Sequence, residues 1–260
     1  MISFIFPWKH SEERFILFDV ILKNILDNMK VDFEICIHEA GDEPKLPDRI
    51  KDKCNYLFSP FQGIFSRAWM MNVGIKHICK GDMICMIDTD ILLSKEWFEE
   101  VKNVKNYSAG FGRISYLDKK STDYYITKGI LPKKFGLQSK SGPRSSKIPK
   151  GPKGCGACTF IPRDLYLKVK GIPEIFDQTW GGEDVGFFRV MNYNGYSPTR
   201  MESPVYHLYH QFTTKINYEI KNISKQMRTW SRNDWNKYYK DVSIKGWGDK
   251  NKYEYSNNNI

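Results

Sequence analysis

The chain has 260 residues, 41% of them hydrophobic, and carries 40 Lys and Arg against 30 Asp and Glu, a formal charge of +10. That length admits one large domain or two small ones with a sizeable core, and one domain with a C-terminal extension is the expectation. The positive surplus suits a polyanion, a nucleotide diphosphate, an anionic glycan or a membrane surface, and by itself selects none of them.

The opening Ile2 to Pro7 is too short for a secretory leader and lacks a basic flank, and no later apolar run approaches a membrane span. A soluble protein follows as the expectation. Cys36 and Cys85 lie inside apolar strand-like runs, where reduced thiols behave as small hydrophobes, so a reducing, cytoplasmic compartment is expected, with peripheral membrane contact left open by the charge.

In chain order, Ile2 to Pro7 reads as a strand. Ser11 can cap a helix in which Phe15, Phe18, Leu22, Ile25 and Met29 recur on one face. Phe33 to Glu39 alternates as a strand and is followed by an Ala40-Gly41-Asp42 turn. Ala68, Met71, Ile75 and Ile78 mark a helix over Arg67 to Cys79, and Met83 to Asp88 is apolar on both faces, as in a central strand. Strand, helix, strand, helix, strand predicts βαβ crossovers, hence a Rossmann-like α/β domain with a mainly parallel sheet flanked by helices.

From Lys119 to Lys153 there are ten Lys or Arg and one Asp. A mobile basic loop, about 115–153, is predicted there, lying over a site. Order returns at Gly154 to Pro162 as a turn feeding a strand, and the domain is expected to close near residue 216. Residues 217–260 read as a helical and polar extension whose last ten residues are disordered.

Two acidic clusters carry the chemistry. Asp88-Thr89-Asp90 ends the apolar strand, at the carboxyl edge where open α/β sheets keep ligands, and carboxylates there suit a hard cation plus phosphate. His207 and His210 follow the apolar Pro204-Val205-Tyr206 run; imidazole favours Mn²⁺ over Mg²⁺, with Mg²⁺ kept as an alternative. Trp180-Gly181-Gly182-Glu183-Asp184 combines a stacking face for a sugar, glycines that let backbone approach a ligand, and two carboxylates, one of which can act as base. The same residues equally suit a helix N-terminus, with Glu183 and Asp184 favouring its dipole. Cys155 and Cys158 have redox-type spacing without the accompanying helix pattern. Lys9 and Arg67 flank apolar elements and are phosphate candidates.

The order of motifs resembles the β-1,4-galactosyltransferase family and related bacterial galactosyltransferase-like and chondroitin-polymerase-type enzymes. The motifs are Phe6-Pro7-Trp8-Lys9, Glu39-Ala40-Gly41-Asp42, Phe65-Ser66-Arg67-Ala68 with Asn72-Val73-Gly74, Asp88-Thr89-Asp90, and Trp180 to Asp184. The resemblance implies a GT-A fold, a UDP-sugar donor, a metal and inversion. It places Pro7, Trp8 and Lys9 at the uridine and phosphates, Phe65 and Arg67 around the nucleotide, and Asp88 at the ribose or donor, with Glu39 and Thr89 in the same donor set. It also implies Asp90 as a metal ligand beside Asp88, Gly156 near the donor sugar, and Trp180, with Gly181 and Gly182, at the acceptor. Glu183 then partners the base Asp184. His210 matches the metal histidine, and His207 stands where vertebrate-type members have a methionine ligand. The function expected is inverting transfer of a hexose or N-acetylhexosamine from a UDP-sugar to a glycan hydroxyl. A metal-dependent nucleotidyl or phosphoryl transferase is the alternative, and a basic nucleic-acid-binding module ranks last.

Overall fold

Strand β1 (Ile2–Trp8) is buried along its whole length, so it needs neighbours on both edges and layers on both faces. Helix α1 (Glu12–Asn28) supplies one layer. The Ser11 hydroxyl accepts from Arg14 N at 3.4 Å to cap it, and Leu17, Phe18, Ile21, Leu22 and Ile25 form its buried stripe. Strand β2 (Phe33–Gly41) follows, then a short helix α2 (Asp48–Lys51) and an edge strand β3 (Asn55–Pro60) that the sequence pattern did not announce. Helix α3 (Arg67–His77) is buried on nearly every side and leads into β4 (Met83–Ile87).

The remaining elements are β5 (Ile91–Leu93), α4 (Lys95–Glu100), β6 (Gly110–Tyr116), α5 (Lys119–Lys128), β7 (Cys158–Pro162) and α6 (Arg163–Lys168). Two 3-10 turns at Val101–Asn106 and Glu174–Phe176, with α7 (Glu183–Tyr193), β8 (Thr199–His207) and α8 (Arg232–Lys245), complete those named among the described residues. The computed structural model describes residues 1–63, 65–106, 109–137, 156–177, 181–211, 222–223 and 225–253.

Eight strands form one sheet in the order β3-β2-β1-β4-β7-β6-β8-β5. The first four are mutually parallel. Beyond β4 the sheet is mixed: β7 runs antiparallel to β4 and β6, β6 and β8 are parallel, and β5 is antiparallel to β8. The chain leaves β1 for β2 and β3 on one side and returns to β4 on the other. This reversal opens a crevice at the carboxyl ends of β1 and β4. No helix among the described residues is long and apolar enough to cross a membrane.

Two expectations change. The basic stretch begins as strand and helix, not as a loop from about 115: Asp118 accepts from Ser121 N at 2.8 Å to cap α5, which buries Ser121, Thr122 and Tyr125 while its lysines face outward. Lysine-rich composition hid a one-sided helix, because the few residues that it buries are polar or aromatic rather than aliphatic. Residues 138–155 lie outside the described ones. At the other end, Lys252 and Tyr253 fall within the ten residues expected to be disordered, yet they bond to Asp177, and residues 254–260 are outside the description.

Candidate active site

Asp90, His207 and His210 offer three ligand atoms within 4.8 Å of one another, all buried. Asp90 arrives from the turn after β4; His207 ends β8, where it pairs with Ile91, the residue after Asp90, and His210 follows three residues later. His210 Nε2 is 3.0 Å from Asp90 Oδ2 and His207 Nε2 is 3.5 Å from Oδ1. Each Nδ1 faces a carbonyl instead, His207 at 2.7 Å from Leu208 O and His210 at 2.9 Å from Gln211 O. A ring that donates its Nδ1 proton to a carbonyl turns the Nε2 lone pair inward. Two lone pairs converging on a carboxylate repel unless a proton or cation lies between them, and Asp90 Oδ1 is buried without a hydrogen-bond partner. The residues therefore fit a divalent cation. Burial alone would raise the Asp90 pKa, but His207, His210 and Arg14 outweigh it and hold the carboxyl below the usual range.

Helix α5 buttresses this cluster. Thr122 Oγ1 accepts from Tyr209 N at 2.9 Å, Leu117 N donates to His207 O at 2.9 Å, and the Tyr116 ring lies 4.9 Å from that of His207. Arg14 from α1 also reaches the site, 3.7 Å from Asp90 Oδ2 with its side chain 39% exposed. Nothing in the spacing of Arg14 marked it; only the proximity of α1 to the strand ends reveals it.

Beside the cation cluster, Arg67 at the first turn of α3 ties together three elements. Its Nε donates to Asp88 Oδ1 at 2.7 Å, its Nη2 donates to the Gly156 carbonyl, and its Nη1 lies 3.9 Å from Glu183 Oε1. Burial opposes the charge on Arg67, but Asp88 and Glu183 more than restore it, and its pKa stays raised. Burial raises the Asp88 pKa, with Arg67 opposing. Glu183 is pushed up to about 7 by burial and by the neighbouring Asp184.

Gly181 and Gly182 have φ of 90° and 102°, a left-handed path open to glycine, and this path delivers Glu183 and Asp184 to the first turn of α7. The helix-start reading of that motif is thus met, with both carboxylates in the first turn of α7. A Cβ on Gly156 would meet Asp184 Cβ and Oδ2 at 2.8 Å, so the β7 turn packs directly on that carboxylate. Trp180 lies outside the described residues.

The other expected donor residues divide. Pro7 and Trp8 end β1 at the crevice, but the Trp8 indole is 1% exposed and stacks on Phe18 at 4.9 Å, so only main chain can face a nucleotide there. Lys9 Nζ donates to Gly63 O at 2.7 Å above the Phe61 ring. Glu39 is buried and accepts from Lys45 N, Leu46 N and Tyr56 OH, which makes it the clamp of the loop after β2. Phe65 is half-buried against the cluster of Phe61 and Trp69, and Thr89 is buried.

No family model and no curated protein matches the chain. Solved structures do. The catalytic domain of Drosophila β1,4-galactosyltransferase 7, in complex with xylobiose, matches with a TM-score of 0.53 at 15% identity, over 88% of this chain and 81% of that one. S. aureus TarS 1-349 in complex with UDP-GlcNAc gives 0.55 at 12%, over 89% and 67%. GalNAc-T7 with UDP, GalNAc and Mn²⁺ gives 0.59 at 12%, over 92% of this chain and 50% of that one. The chain has the GT-A fold. On this GT-A sheet, Asp88 and Asp90 end β4 at the switch point, and the Arg67 arm and the α7 carboxylates stand around the same crevice.

Proposed function

We propose that the chain is an inverting, metal-dependent glycosyltransferase that moves a hexose or N-acetylhexosamine from a UDP-sugar to a glycan hydroxyl. The observation that carries this reading is the buried Asp90, His207 and His210 cluster at the GT-A switch point, next to an arginine arm and a pair of carboxylates. The matched structures hold UDP, UDP-GlcNAc, Mn²⁺ and xylobiose, which agrees with this assignment.

Asp90, His207 and His210 would hold the cation, with Mn²⁺ favoured by two imidazoles. When bound, such an ion offsets the negative charge on a departing diphosphate. Arg14 adds a partly exposed guanidinium at the same place, suited to phosphate oxygens now that Lys9 is engaged with Gly63. Arg67 holds Asp88 and the Gly156 turn for the ribose and donor sugar. Glu183 keeps its proton to about pH 7 and is suited to donate a hydrogen bond to a sugar hydroxyl, which leaves Asp184 as the base. The acceptor hydroxyl gives its proton to Asp184 as its oxygen bonds to the anomeric carbon. The carbon–oxygen bond to the diphosphate breaks on the opposite side, and its electron pair leaves with UDP.

Thermal unfolding with UDP, GDP, CDP and dTDP, each with and without Mn²⁺, tests the donor site, because a ligand of the folded state raises Tm. A UDP-selective, Mn²⁺-dependent rise is expected. Asp184→Asn should keep that rise and lose transfer. The absence of any nucleotide effect on the unaltered protein would sink the reading.

A further inference from the structure

Helix α3 starts at Arg67, yet the Ser66 hydroxyl makes no capping bond to it. The first turn is capped from elsewhere in the chain. Asp177 Oδ1 accepts from Trp69 N at 3.2 Å, the bond that an N-cap side chain ordinarily makes to the third helical residue, and from Ser66 Oγ at 2.6 Å. A carboxylate there also meets the positive end of the helix dipole.

The other oxygen of Asp177 faces the C-terminal segment. Lys252 Nζ and Tyr253 OH both donate to Oδ2, the latter at 3.0 Å. Lys252 is pinned a second time by Glu174 Oε2 at 2.8 Å, and Tyr253 packs edge-on to Trp69 with ring centroids 4.8 Å apart. Glu174 in turn accepts from Asn72 of α3 at 2.9 Å and from Gly248 N at 2.6 Å. Asp177 thus has donors on both sides, a number suited to fixing a helix end rather than to a loosely paired surface charge.

What stands on that helix end is the donor arm. Arg67 occupies the first helical position, and its guanidinium reaches Asp88, the Gly156 carbonyl and Glu183. The segment holding Asp177 also touches α7, since the Phe176 ring occupies the space that a Cβ on Gly186 would need. We infer that Asp177 is a positioning residue of the donor site: it caps α3 from outside the helix, is itself held by Lys252 and Tyr253, and so sets the direction of Arg67. The inference rests on the reading of the Arg67 arm as the UDP-sugar site.

Calorimetric titration of UDP in the presence of Mn²⁺, with Tm measured alongside, separates positioning from bulk stability. Asp177→Ala removes the cap and should lower UDP affinity at least about tenfold, equivalent to roughly 1.4 kcal/mol and within the range of a lost N-cap. Asp177→Asn loses the charge facing Lys252 but keeps an oxygen for Ser66 and Trp69 N, so it should lower Tm like the alanine variant while retaining most of the affinity. Unchanged affinity in Asp177→Ala, or equal loss in both variants, would overturn the positioning role. Failure of the unaltered chain to bind UDP would instead remove the donor reading and this role with it, and the two failures are told apart by the unaltered protein.

Discussion

Glu183 is the residue at which fold and chemistry pull against each other. Its Oε2 is buried without a partner, and its pKa is raised from 4.5 to about 7. The folded state therefore keeps a proton that the unfolded chain has released. Below about pH 4.5 the residue makes no difference; between 4.5 and 7 stability falls as pH rises, and above 7 the loss levels at about 3 kcal/mol. Glu183→Gln in the ligand-free protein should erase that slope: Tm should match the unaltered chain near pH 4.5 and exceed it by several degrees at pH 8. Equal Tm differences at both pH values would contradict the assignment. At this scale the positions of Asp88 and Asp90 just after β4 and of Glu183 and Asp184 at the start of α7 were legible, because an apolar run that stops at aspartate marks a strand end and acidic residues after paired glycines suit a helix N-terminus. Arg14 and Asp177 were not, since each acts across a gap in the chain that no local pattern encodes. Trp8 and Glu39 show the converse: a motif match located the segment, while burial turned the side chains toward the core and a loop.

Among the elements, the turn before β7 and the start of α7 form one unit. Gly156 must lack a side chain because the carboxylate of Asp184 occupies the space a Cβ would need, while its carbonyl accepts from Arg67. Gly156→Ala should push Asp184 aside by some tenths of an ångström; a large loss of turnover with UDP binding and Tm nearly unchanged is the expected result. A simple fall in Tm with turnover per folded molecule preserved would refute it. The same scale explains the misread start of the basic stretch. Helix α5 buries Thr122, whose hydroxyl accepts from Tyr209 N between the two histidines, so the first part of the segment expected to be a loop instead packs behind the Asp90, His207 and His210 cluster. Periodicity could not show this, because the buried face of α5 is polar and aromatic.

For the whole molecule, three of the four strands of the parallel half, β1, β2 and β4, were legible from the alternation of apolar strands and one-faced helices, while the edge strand β3 was not. The mixed half was not, because β5 has only three residues and β6 is interrupted by a shift in register near Gly112. Nor did sequence reveal that residues 246–253 run along α3. Trp69 Nε1 donates to Asp249 O at 2.7 Å, Lys76 Nζ to Trp247 O at 2.9 Å, and the Tyr253 ring closes on Phe61. Removing the residues after Lys245 should therefore lower Tm by roughly 10 °C, several hydrogen bonds and three aromatic contacts being lost together. A truncated chain that melts like the intact one would refute the docking of this segment. That docking also has a consequence in time. Trp69 and Asp249 are 180 positions apart, so at typical synthesis rates a ribosome needs roughly ten to forty seconds between them. Throughout that interval the α3 segment lacks Asp249 and Lys252, and for its first 108 residues Asp177 as well, so under the proposed role of Asp177 the Arg67 arm takes its final direction only after the last of these partners has been made.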